Sequence, residues 1–327
     1  MLKVGLIGCG FMGTMHANCY KNIEGVTIAA VADLRREKAE SVVSGTDAII
    51  YSDGKELIAN ADLDIIDICL PTYLHTEYAL LAMDKVPYLF IEKPVALTVA
   101  EADALVAKQN ETGCQIQIGQ VIRFWDEYVA LREIISSGKY GKVVNANFRR
   151  ISPSPDWGWN DWLRNPSLSG GAGQDLHIHD IDYVLSIFGE PKKLYSVKNT
   201  LGEKNSYVSS LLQYEEHVVT VEGTWNLPGS HPFQATFRVV FENAVVENDG
   251  GKFMLYTNDG SEEIKLEKKE MVSTGGTQGN ISDLGGYFNE LVYFTQQAAG
   301  RKQIEEATLA AGAASIKFLL EKELSFK

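Results

Sequence analysis

Short apolar runs alternate with amphipathic segments along the first 120 residues of the chain. The runs are mainly apolar and continuous rather than alternating in polarity, which is typical of strands in a parallel sheet that helices cover on both faces. The predicted strands are 3–7, 26–32, 65–70, 88–91 and 115–118. The predicted helices between them are 15–21, 35–43, 55–59, 76–84 and 99–110. This alternation indicates a doubly wound α/β domain of the Rossmann type with right-handed crossovers.

The pattern changes after residue 120, where helices become fewer and turn signals separate short strands. A helix is predicted at 126–136, a strand at 143–149, a loop rich in Pro, Trp and Asn at 152–169, and a helix at 173–188. A strand meander follows over 194–268, with runs at 207–214, 218–225, 234–241, 244–248, 252–256 and 263–266. Two helices, at 287–299 and 306–323, close the pattern.

The two patterns predict two domains, a Rossmann-type domain at 1–120 and an α+β domain at 121–327. The second has a large, mainly antiparallel open sheet with helices on one side. Its other face is free to meet a partner subunit, so we expect a homodimer or homotetramer.

Composition excludes several classes of partner. The 30 basic and 43 acidic side chains give a formal net charge of −13, which disfavours nucleic acid and anionic membranes. No apolar run reaches the roughly 18 to 20 residues that span a bilayer. The four cysteines form no C-x-x-C pair, which favours reduced thiols and a cytoplasmic protein.

A glycine-rich segment directly follows the first predicted strand and precedes a helix. Gly8, Gly10 and Gly13, with Phe11 and Met12 between the last two, match G-x-G-x-x-G. Such glycines allow a tight turn, close approach of a pyrophosphate and packing of the helix on the sheet. The segment therefore predicts a dinucleotide site at a helix N-terminus.

An acidic residue follows the second predicted strand. Asp33 lies twenty residues after Gly13, where a carboxylate would bind the ribose hydroxyls and repel a 2′-phosphate. This position favours NAD as the cofactor, with NADP as the alternative because Arg35 and Arg36 are close by. His16, early in the first helix, either contacts the pyrophosphate region or packs in the core.

The strand at 88–91 is followed by Glu92, Lys93 and Pro94. Ligands of open α/β sheets bind beyond the carboxyl ends of the strands, so Lys93 is a candidate for polarising a substrate oxygen or moving a proton. A cis bond between Lys93 and Pro94 would fix the direction of the lysine.

The helix at 173–188 carries a second set of candidate residues. Asp175 and His179 are four apart, so a regular helix places them on one face, and Asp182 is positioned to orient the imidazole. A carboxylate beside an imidazole suits a base that takes the hydroxyl proton. A solvated polar stripe and a metal site are the alternatives. Since His177 and His179 point to different sides of a helix, we expect no metal.

The sequence resembles the Gfo/Idh/MocA oxidoreductase family, which includes inositol dehydrogenases and glucose–fructose oxidoreductase. The resemblance covers essentially the whole chain. It rests on the glycine motif, the segment 71–75, Glu92-Lys93-Pro94, the run from Gly170 through Asp175 and His179 to Asp182, and the segment 287–294.

The resemblance implies a Rossmann domain and a second domain whose open sheet makes the subunit contact. It implies that Lys93 and Asp175 hold and polarise the reacting hydroxyl while His179 is the acid/base. The residues that it places beside the cofactor are Leu70, Pro71, His75 and Glu92. Thr72 departs from the Asn of many relatives, and Ala172 stands where a third glycine is usual.

Arginines and tryptophans near the catalytic helix are candidates for binding substrate. Trp162 could stack on a sugar ring, and Arg123 and Arg164 could hold a carboxylate or phosphate, or the aromatic rings could simply pack the loop.

We therefore expect an NAD-dependent dehydrogenase that takes hydride from a secondary hydroxyl of a sugar, inositol or sugar derivative. A glycosidase with a redox-neutral NAD cycle is one alternative. A non-catalytic NAD-binding regulator is another, which the presence of Lys93, Asp175 and His179 disfavours.

Overall fold

A computed structural model describes residues 1–201, 205–266 and 285–323 of the chain. Within them are fourteen strands: β1 (Leu2–Ile7), β2 (Val26–Ala32), β3 (Ile49–Tyr51), β4 (Ile65–Ile68), β5 (Tyr88–Ile91), β6 (Gln115–Ile118), β7 (Val143–Pro153), β8 (Lys193–Leu201), β9 (Asn205–Gln213), β10 (Val218–Leu227), β11 (Gln234–Phe241), β12 (Ala244–Asn248), β13 (Phe253–Thr257) and β14 (Gly260–Glu263).

The same residues contain ten α-helices: α1 (Phe11–Tyr20), α2 (Arg36–Val42), α3 (Gly54–Asn60), α4 (Thr72–Ala82), α5 (Val99–Thr112), α6 (Asp126–Ser137), α7 (Pro166–Ser169), α8 (Ile178–Phe188), α9 (Gly285–Gly300) and α10 (Leu309–Lys317). Two 3-10 segments lie at Val121–Phe124 and Trp159–Arg164. Two π-helical turns lie at Gly173–His177 and Phe318–Glu323.

Residue contacts divide the chain into two compact units. The first contains Met1–Val121 and Glu270–Ile316, and the second contains Ile122–Lys269 and Lys317–Lys327. The predicted second domain began at residue 121 and ran to the C-terminus, whereas these contacts place the described residues 285–316 in the first unit. The physical reason is that α9 packs on α1. A division into separate domains at residue 120 stays a prediction.

The first unit contains a six-stranded parallel sheet in the order β3-β2-β1-β4-β5-β6. The order reverses at β1 and β4, which is the point where doubly wound sheets bind their ligands. Strands β4 and β5 are buried along their whole length, as strands between two helical layers should be. The Rossmann architecture predicted from the pattern is confirmed.

Local signals of the first unit are also present in the structure. The Thr98 side chain accepts from the Glu101 amide, and Glu101 in turn accepts from the Thr98 amide, so α5 begins with a capping box. Gly113 ends the helix in the left-handed conformation. Strand β3 has no predicted counterpart because it is only three residues long and its Ile49 is exposed.

Helix α9 completes the core of the first unit. Phe294 packs edge-on against Tyr88 and Phe90 of β5, with ring centroids 6.3 and 5.4 Å apart. Leu291 and Glu290 of the same helix are fully buried. The helix predicted at 287–299 is therefore confirmed.

The second unit contains an eight-stranded sheet in the order β14-β13-β12-β11-β7-β10-β9-β8. All neighbours pair antiparallel except β7 and β10, which are parallel. This confirms the predicted large, mainly antiparallel sheet.

Some predicted boundaries in the second half of the chain differ. Strand β8 was missed as a separate run, and β14 lies at Gly260–Glu263 instead of 263–266. The last predicted helix, 306–323, begins at Leu309 and ends in a π-helical turn. In the part of the chain that the structure describes, no helix combines the length and the apolar composition needed to cross a membrane.

Candidate functional site

The glycine segment forms a tight turn between β1 and α1. Gly8 has a φ of +93°, which L side chains rarely adopt, and a Cβ on it would lie 2.5 Å from the carbonyl oxygen of Cys69. A Cβ on Gly13 would lie 1.8 Å from the Gly8 oxygen. Phe11 and Met12 open α1, and no side chain caps it at Gly10. The turn therefore fits a pyrophosphate, because it leaves backbone N–H groups of the helix N-terminus for the phosphates.

Asp33 directly follows β2 and lies beside the glycine turn. Its Oδ2 accepts a hydrogen bond from the Cys9 amide at 2.8 Å, and its Oδ1 accepts from the Arg35 amide at 2.8 Å. The Arg35 Nε lies 3.2 Å from Oδ1. The carboxylate thus joins β2 to the glycine turn and places a guanidinium nearby. The contact of Asp33 with ribose stays a prediction.

Lys93 follows β5 at the same edge of the sheet. The Glu92 amide donates to the Ile68 oxygen at 3.0 Å, which continues the pairing of β5 with β4 to the last residue before the lysine. The Lys93 side chain is half-buried. The bond between Lys93 and Pro94 is cis.

His75, on α4, is buried and connects two loops beside the sheet edge. Its Nδ1 lies 2.9 Å from the Pro94 oxygen and its Nε2 2.7 Å from the Leu70 oxygen. Burial lowers the pKa of His75 more than these carbonyls raise it. The neutral ring therefore donates to one carbonyl at a time. Pro71 precedes α4, and Thr72 is buried at its first position.

Glu92 points into a buried cluster that the sequence analysis did not identify. We define the His16 cluster as His16, Asp67, Glu92 and Glu290, all of which are buried. The His16 Nδ1 lies 2.8 Å from the Asp67 Oδ2, and its Nε2 lies 3.0 Å from the Glu92 Oε1. Both Glu290 carboxylate oxygens are buried without a hydrogen-bond partner among the described residues.

Burial and mutual charge set the protonation of this cluster. Burial lowers the pKa of His16, but Asp67 and Cys69 outweigh it, so the pKa stands well above its ordinary value. Burial raises the pKa of Glu92, yet the adjacent His16 and Lys93 bring it below the ordinary value. Burial, and then the charge of Glu92, raise the pKa of Glu290 well above its ordinary value. These pKa shifts favour the imidazolium form of His16, the carboxylate form of Glu92 and the protonated form of Glu290.

Asp175 and His179 lie in the second unit on consecutive but different helical turns. Asp175 belongs to the π-helical turn Gly173–His177, and His179 to α8. The prediction that they share one face assumed regular α-helix, and the π turn changes the angle between them. Such turns are frequent at functional sites. Both side chains are half-buried.

The approach to this turn needs glycine at one position and accepts alanine at another. Gly170 has a φ of +76°, and a Cβ there would collide with the Gln174 side chain at 1.9 Å. Ala172 has ordinary helical angles, φ −59° and ψ −28°, and is buried. Its methyl group, where the family usually has glycine, therefore fits without strain.

Arg123 forms a buried bidentate pair with Asp182. Its Nε donates to Oδ2 at 2.6 Å and its Nη2 to Oδ1 at 2.9 Å. Arg150 and Asp180 form a similar buried pair, with Nε–Oδ2 at 2.8 Å. Both carboxylates lie on α8, so the arginines hold the helix that carries His179. The predicted roles of Arg123 toward substrate and of Asp182 toward His179 stay predictions.

The loop at 152–169 packs on the π-helical turn through apolar side chains. Trp162 packs against a cluster of buried residues made up of Leu163, Ala172, Leu176 and Trp225. Arg164 pairs with Asp161, which has a left-handed φ of 57°. Packing thus accounts for Trp162, and its stacking on a sugar ring, like the substrate contact of Arg164, stays a prediction.

Two groups of potential metal ligands occur among the described residues, and neither includes Asp175 or His179. One is His16, Asp67 and Cys69, and the other is His16, Glu92 and Glu290, each with donor atoms within 4.8 Å of one another.

Comparison with protein families identifies both parts of the chain. Residues 2–120 match the family described as "Oxidoreductase family, NAD-binding Rossmann fold", and residues 128–247 match the "GFO/IDH/MocA C-terminal domain". The chain belongs to the Gfo/Idh/MocA oxidoreductase family. Residues 2–120 form the NAD-binding domain of that family, as the glycine motif predicted.

Curated relatives of this family member include inositol dehydrogenases. The myo-inositol 2-dehydrogenase of Thermotoga maritima is 29% identical over 193 residues, which are 58% of this chain and 55% of the relative. The inositol 2-dehydrogenase of Salmonella typhimurium is 28% identical over 216 residues, 64% of this chain and 61% of the relative. The match thus spans less than two thirds of these relatives' length.

A solved structure covers nearly the whole fold. An oxidoreductase from Agrobacterium radiobacter in complex with NAD+, L-tartaric acid and magnesium has a TM-score of 0.84 at 19% identity, over 99% of this chain and 95% of that one. This similarity confirms the fold predicted for both halves of the chain.

Proposed function

We propose that this protein is an NAD-dependent dehydrogenase that oxidises a secondary hydroxyl of a sugar, inositol or sugar derivative. The observation that carries the proposal is the placement of Lys93. It follows β5, two strands from the glycine turn after β1, at the same edge of one parallel sheet. Ligands of such sheets bind at this edge, so a lysine there faces the reactive end of a dinucleotide.

NAD, when bound, accepts the hydride that leaves the hydroxyl carbon. The protein's own residues bind and orient the alcohol and remove its proton. In the proposed arrangement Lys93 and Asp175 hold the hydroxyl oxygen, and the Lys93 ammonium stabilises the negative charge that develops there. His179 takes the proton, since imidazole is the side chain best matched to proton transfer near neutral pH.

The preference for NAD over NADP is proposed on the position of Asp33. A carboxylate at the end of β2 accepts hydrogen bonds from ribose hydroxyls and repels a 2′-phosphate. Arg35 is held by Asp33 itself, which offsets the guanidinium charge at this place. A kcat/KM that favours NADP over NAD would contradict the assignment.

The substrate class is proposed from the relatives, since curated proteins similar to this chain are named inositol 2-dehydrogenases. The test is a panel of myo-inositol, aldoses and a nucleotide sugar with NAD, followed by NADH absorbance. Chromogenic glycosides are assayed in parallel. Net NADH formation supports the proposal, whereas glycoside cleavage without net NADH would replace it with a redox-neutral glycosidase. No turnover and intact NAD binding would indicate a regulator.

The variant Lys93→Met tests the role proposed for Lys93. It keeps the apolar stem and removes the ammonium, so we expect kcat/KM to fall by about 10²- to 10⁴-fold. The matched control is Lys55→Met in the same unit, an exposed lysine paired with Glu77. The control should keep wild-type turnover. Full turnover by Lys93→Met would refute the assigned site.

A homo-oligomer is proposed from the open face of the eight-stranded sheet. Tyr195 and Val197, two apart on β8, are 60% and 67% exposed, and Leu211 opposite Tyr195 on β9 is also exposed. These side chains form an apolar stripe, and stripes of this kind mark protein–protein contacts. A second copy of the chain is the proposed partner, in a dimer or tetramer.

A cytoplasmic location is proposed from the cysteines. All four are free, and Cys9, Cys19 and Cys114 are buried. Unpaired thiols are typical of reducing compartments. Cell fractionation that recovers the protein outside the cytoplasm would contradict this.

A further inference from the structure

We propose that His16 is a positioning residue for Lys93, acting through Glu92. The inference rests on the proposed dehydrogenase function and adds a residue outside the substrate pocket. The His16 ring bridges helix α1, which begins at the glycine turn, to the residues that end β4 and β5. It thereby fixes the lysine relative to the element that binds the cofactor phosphates.

The first step is the contact between Glu92 and the backbone of the lysine. The Lys93 amide donates to the Glu92 Oε2 at 3.0 Å. The Glu92 carboxylate therefore accepts a hydrogen bond from the peptide group between Glu92 and Lys93. The orientation of that peptide group sets the direction in which the lysine side chain leaves the backbone. If the carboxylate moves, that peptide group loses its acceptor and is free to rotate.

The second step is what holds the carboxylate. Its other oxygen, Oε1, lies 3.0 Å from the His16 Nε2, and both side chains are almost fully excluded from solvent. In such a medium the attraction between an imidazolium and a carboxylate is strong and little screened. Glu92 also packs against Gly119 at the end of β6, where a Cβ would lie 3.0 Å from its carboxyl carbon.

The third step is what holds His16. Its Nδ1 lies 2.8 Å from the Asp67 Oδ2, which also accepts a hydrogen bond from the Tyr20 hydroxyl at 2.9 Å. The ring stacks edge-on against Phe90, with centroids 5.2 Å apart. The Nδ1 of the ring thus faces Asp67 in a hydrogen bond, whereas its Nε2 faces Glu92 in a close ion pair that lacks hydrogen-bond geometry.

Glu290 closes the cluster from α9. Its carboxyl group is completely buried beside His16 and Glu92, within 4.8 Å, and its oxygens have no hydrogen-bond partner among the described residues. A neutral acid at this place adds no second negative charge against Glu92. Glu290 therefore does not push the Glu92 carboxylate away from the imidazole of His16.

The experiment compares two substitutions of His16. Asparagine places its amide nitrogen near the position of Nδ1 and keeps the contact with Asp67 only. Glutamine reaches the position of Nε2 and keeps a donor for Glu92. His16→Asn should therefore release Glu92, and His16→Gln should rescue it. Met15→Ala, a buried residue of the same helix outside the cluster, is the control for general loosening.

The first readout is hydrogen exchange of the Lys93 amide in the full chain, with and without NAD, which needs no substrate. We expect exchange about tenfold faster in His16→Asn and within about threefold of wild type in His16→Gln and Met15→Ala. Gly119→Ala, which displaces the Glu92 carboxylate without removing a charge, should also accelerate this amide. Unchanged exchange in both His16→Asn and Gly119→Ala would overturn the inference.

The second readout is turnover of the polyol that the panel identifies. His16→Asn should lower kcat by about 100-fold, the cost of a misplaced catalytic group, while KM and the NADH dissociation constant change by less than about threefold. If the loss came from a general structural defect, Met15→Ala would lower kcat to a similar extent, and His16→Gln would not restore it. Faster exchange with unchanged kcat would also overturn the inference. If the variants show the expected exchange rates but the wild type oxidises no polyol of the panel, the positioning role of His16 is supported and the proposed function is refuted.

Discussion

At the scale of single residues, burial decides which charged groups are structural. Arg123 and Asp182 form a buried ion pair inside the second unit, and this pair holds α8. Glu92 belongs to a buried cluster, and the contact with the cofactor that the family resemblance implies for it stays a prediction. Sequence spacing finds such residues, but it cannot tell a buried pair from a ligand contact, because the partner lies far away in the chain.

The substitution Glu290→Gln tests the protonation of the His16 cluster. Because the folded-state pKa of Glu290 lies above its ordinary value, the folded chain binds the proton more tightly than the unfolded one. Wild-type stability therefore falls as pH rises from the ordinary carboxyl pKa toward the folded-state pKa, and glutamine removes this loss.

We expect Glu290→Gln to gain stability relative to wild type as pH rises above about 4.5, the ordinary value. Urea unfolding at a series of pH values measures the difference in free energy. At the low-pH end the two proteins should agree within about 1 kcal/mol, as a neutral amide replaces a neutral acid. A difference that stays constant across pH would contradict the assignment of a raised pKa.

At the scale of elements, the local sequence determines the glycine turn at 8–13 more completely than the π-helical turn at Gly173–His177. Three glycines at fixed spacing directly after an apolar strand define the turn, because steric exclusion at Gly8 and Gly13 is local. The π-helical turn around Asp175 has no such local signal. It packs against β9 and β10, which lie some thirty to fifty residues later in the chain.

The substitution Gly13→Ala tests the packing of α1. Its Cβ would lie 1.8 Å from the Gly8 carbonyl oxygen, so the helix must move away from the turn. We expect the free energy of unfolding to fall by about 1–3 kcal/mol and the NADH dissociation constant to rise by about tenfold or more.

Thermal unfolding and NADH fluorescence titration measure these two effects. Gly25→Ala is the comparison, because no heavy atom lies within 4 Å of its Cβ position. Gly25→Ala has a backbone cost of its own, as its φ is +78°, but it should leave NADH binding unchanged. Wild-type NADH affinity in Gly13→Ala would contradict the placement of the phosphates at this turn.

At the scale of the whole molecule, the apolar stripe on β8 and β9 is a prediction about assembly. The substitution Val197→Lys places a charge at the most exposed position of the stripe, and two copies would bring these charges together. We expect the dissociation constant of the oligomer to rise by about tenfold or more.

Sedimentation at micromolar concentration measures the change. Lys198→Ala, the next residue on β8 and therefore on the opposite face of the strand, is the control and should leave the oligomer intact. A wild type that sediments only as a monomer would refute the proposed assembly.

The sequence by itself determined the Rossmann sheet, the glycine turn, the lysine after β5 and the large second sheet. These features follow from local periodicity and from steric rules that act within a few residues. Only the tertiary structure decided that residues 285–316 pack with the first unit, and that Glu290 and Asp67 lie beside His16 and Glu92. The physical reason is that a buried charge is stabilised by groups brought together from distant segments, and periodicity along the chain carries no record of those contacts.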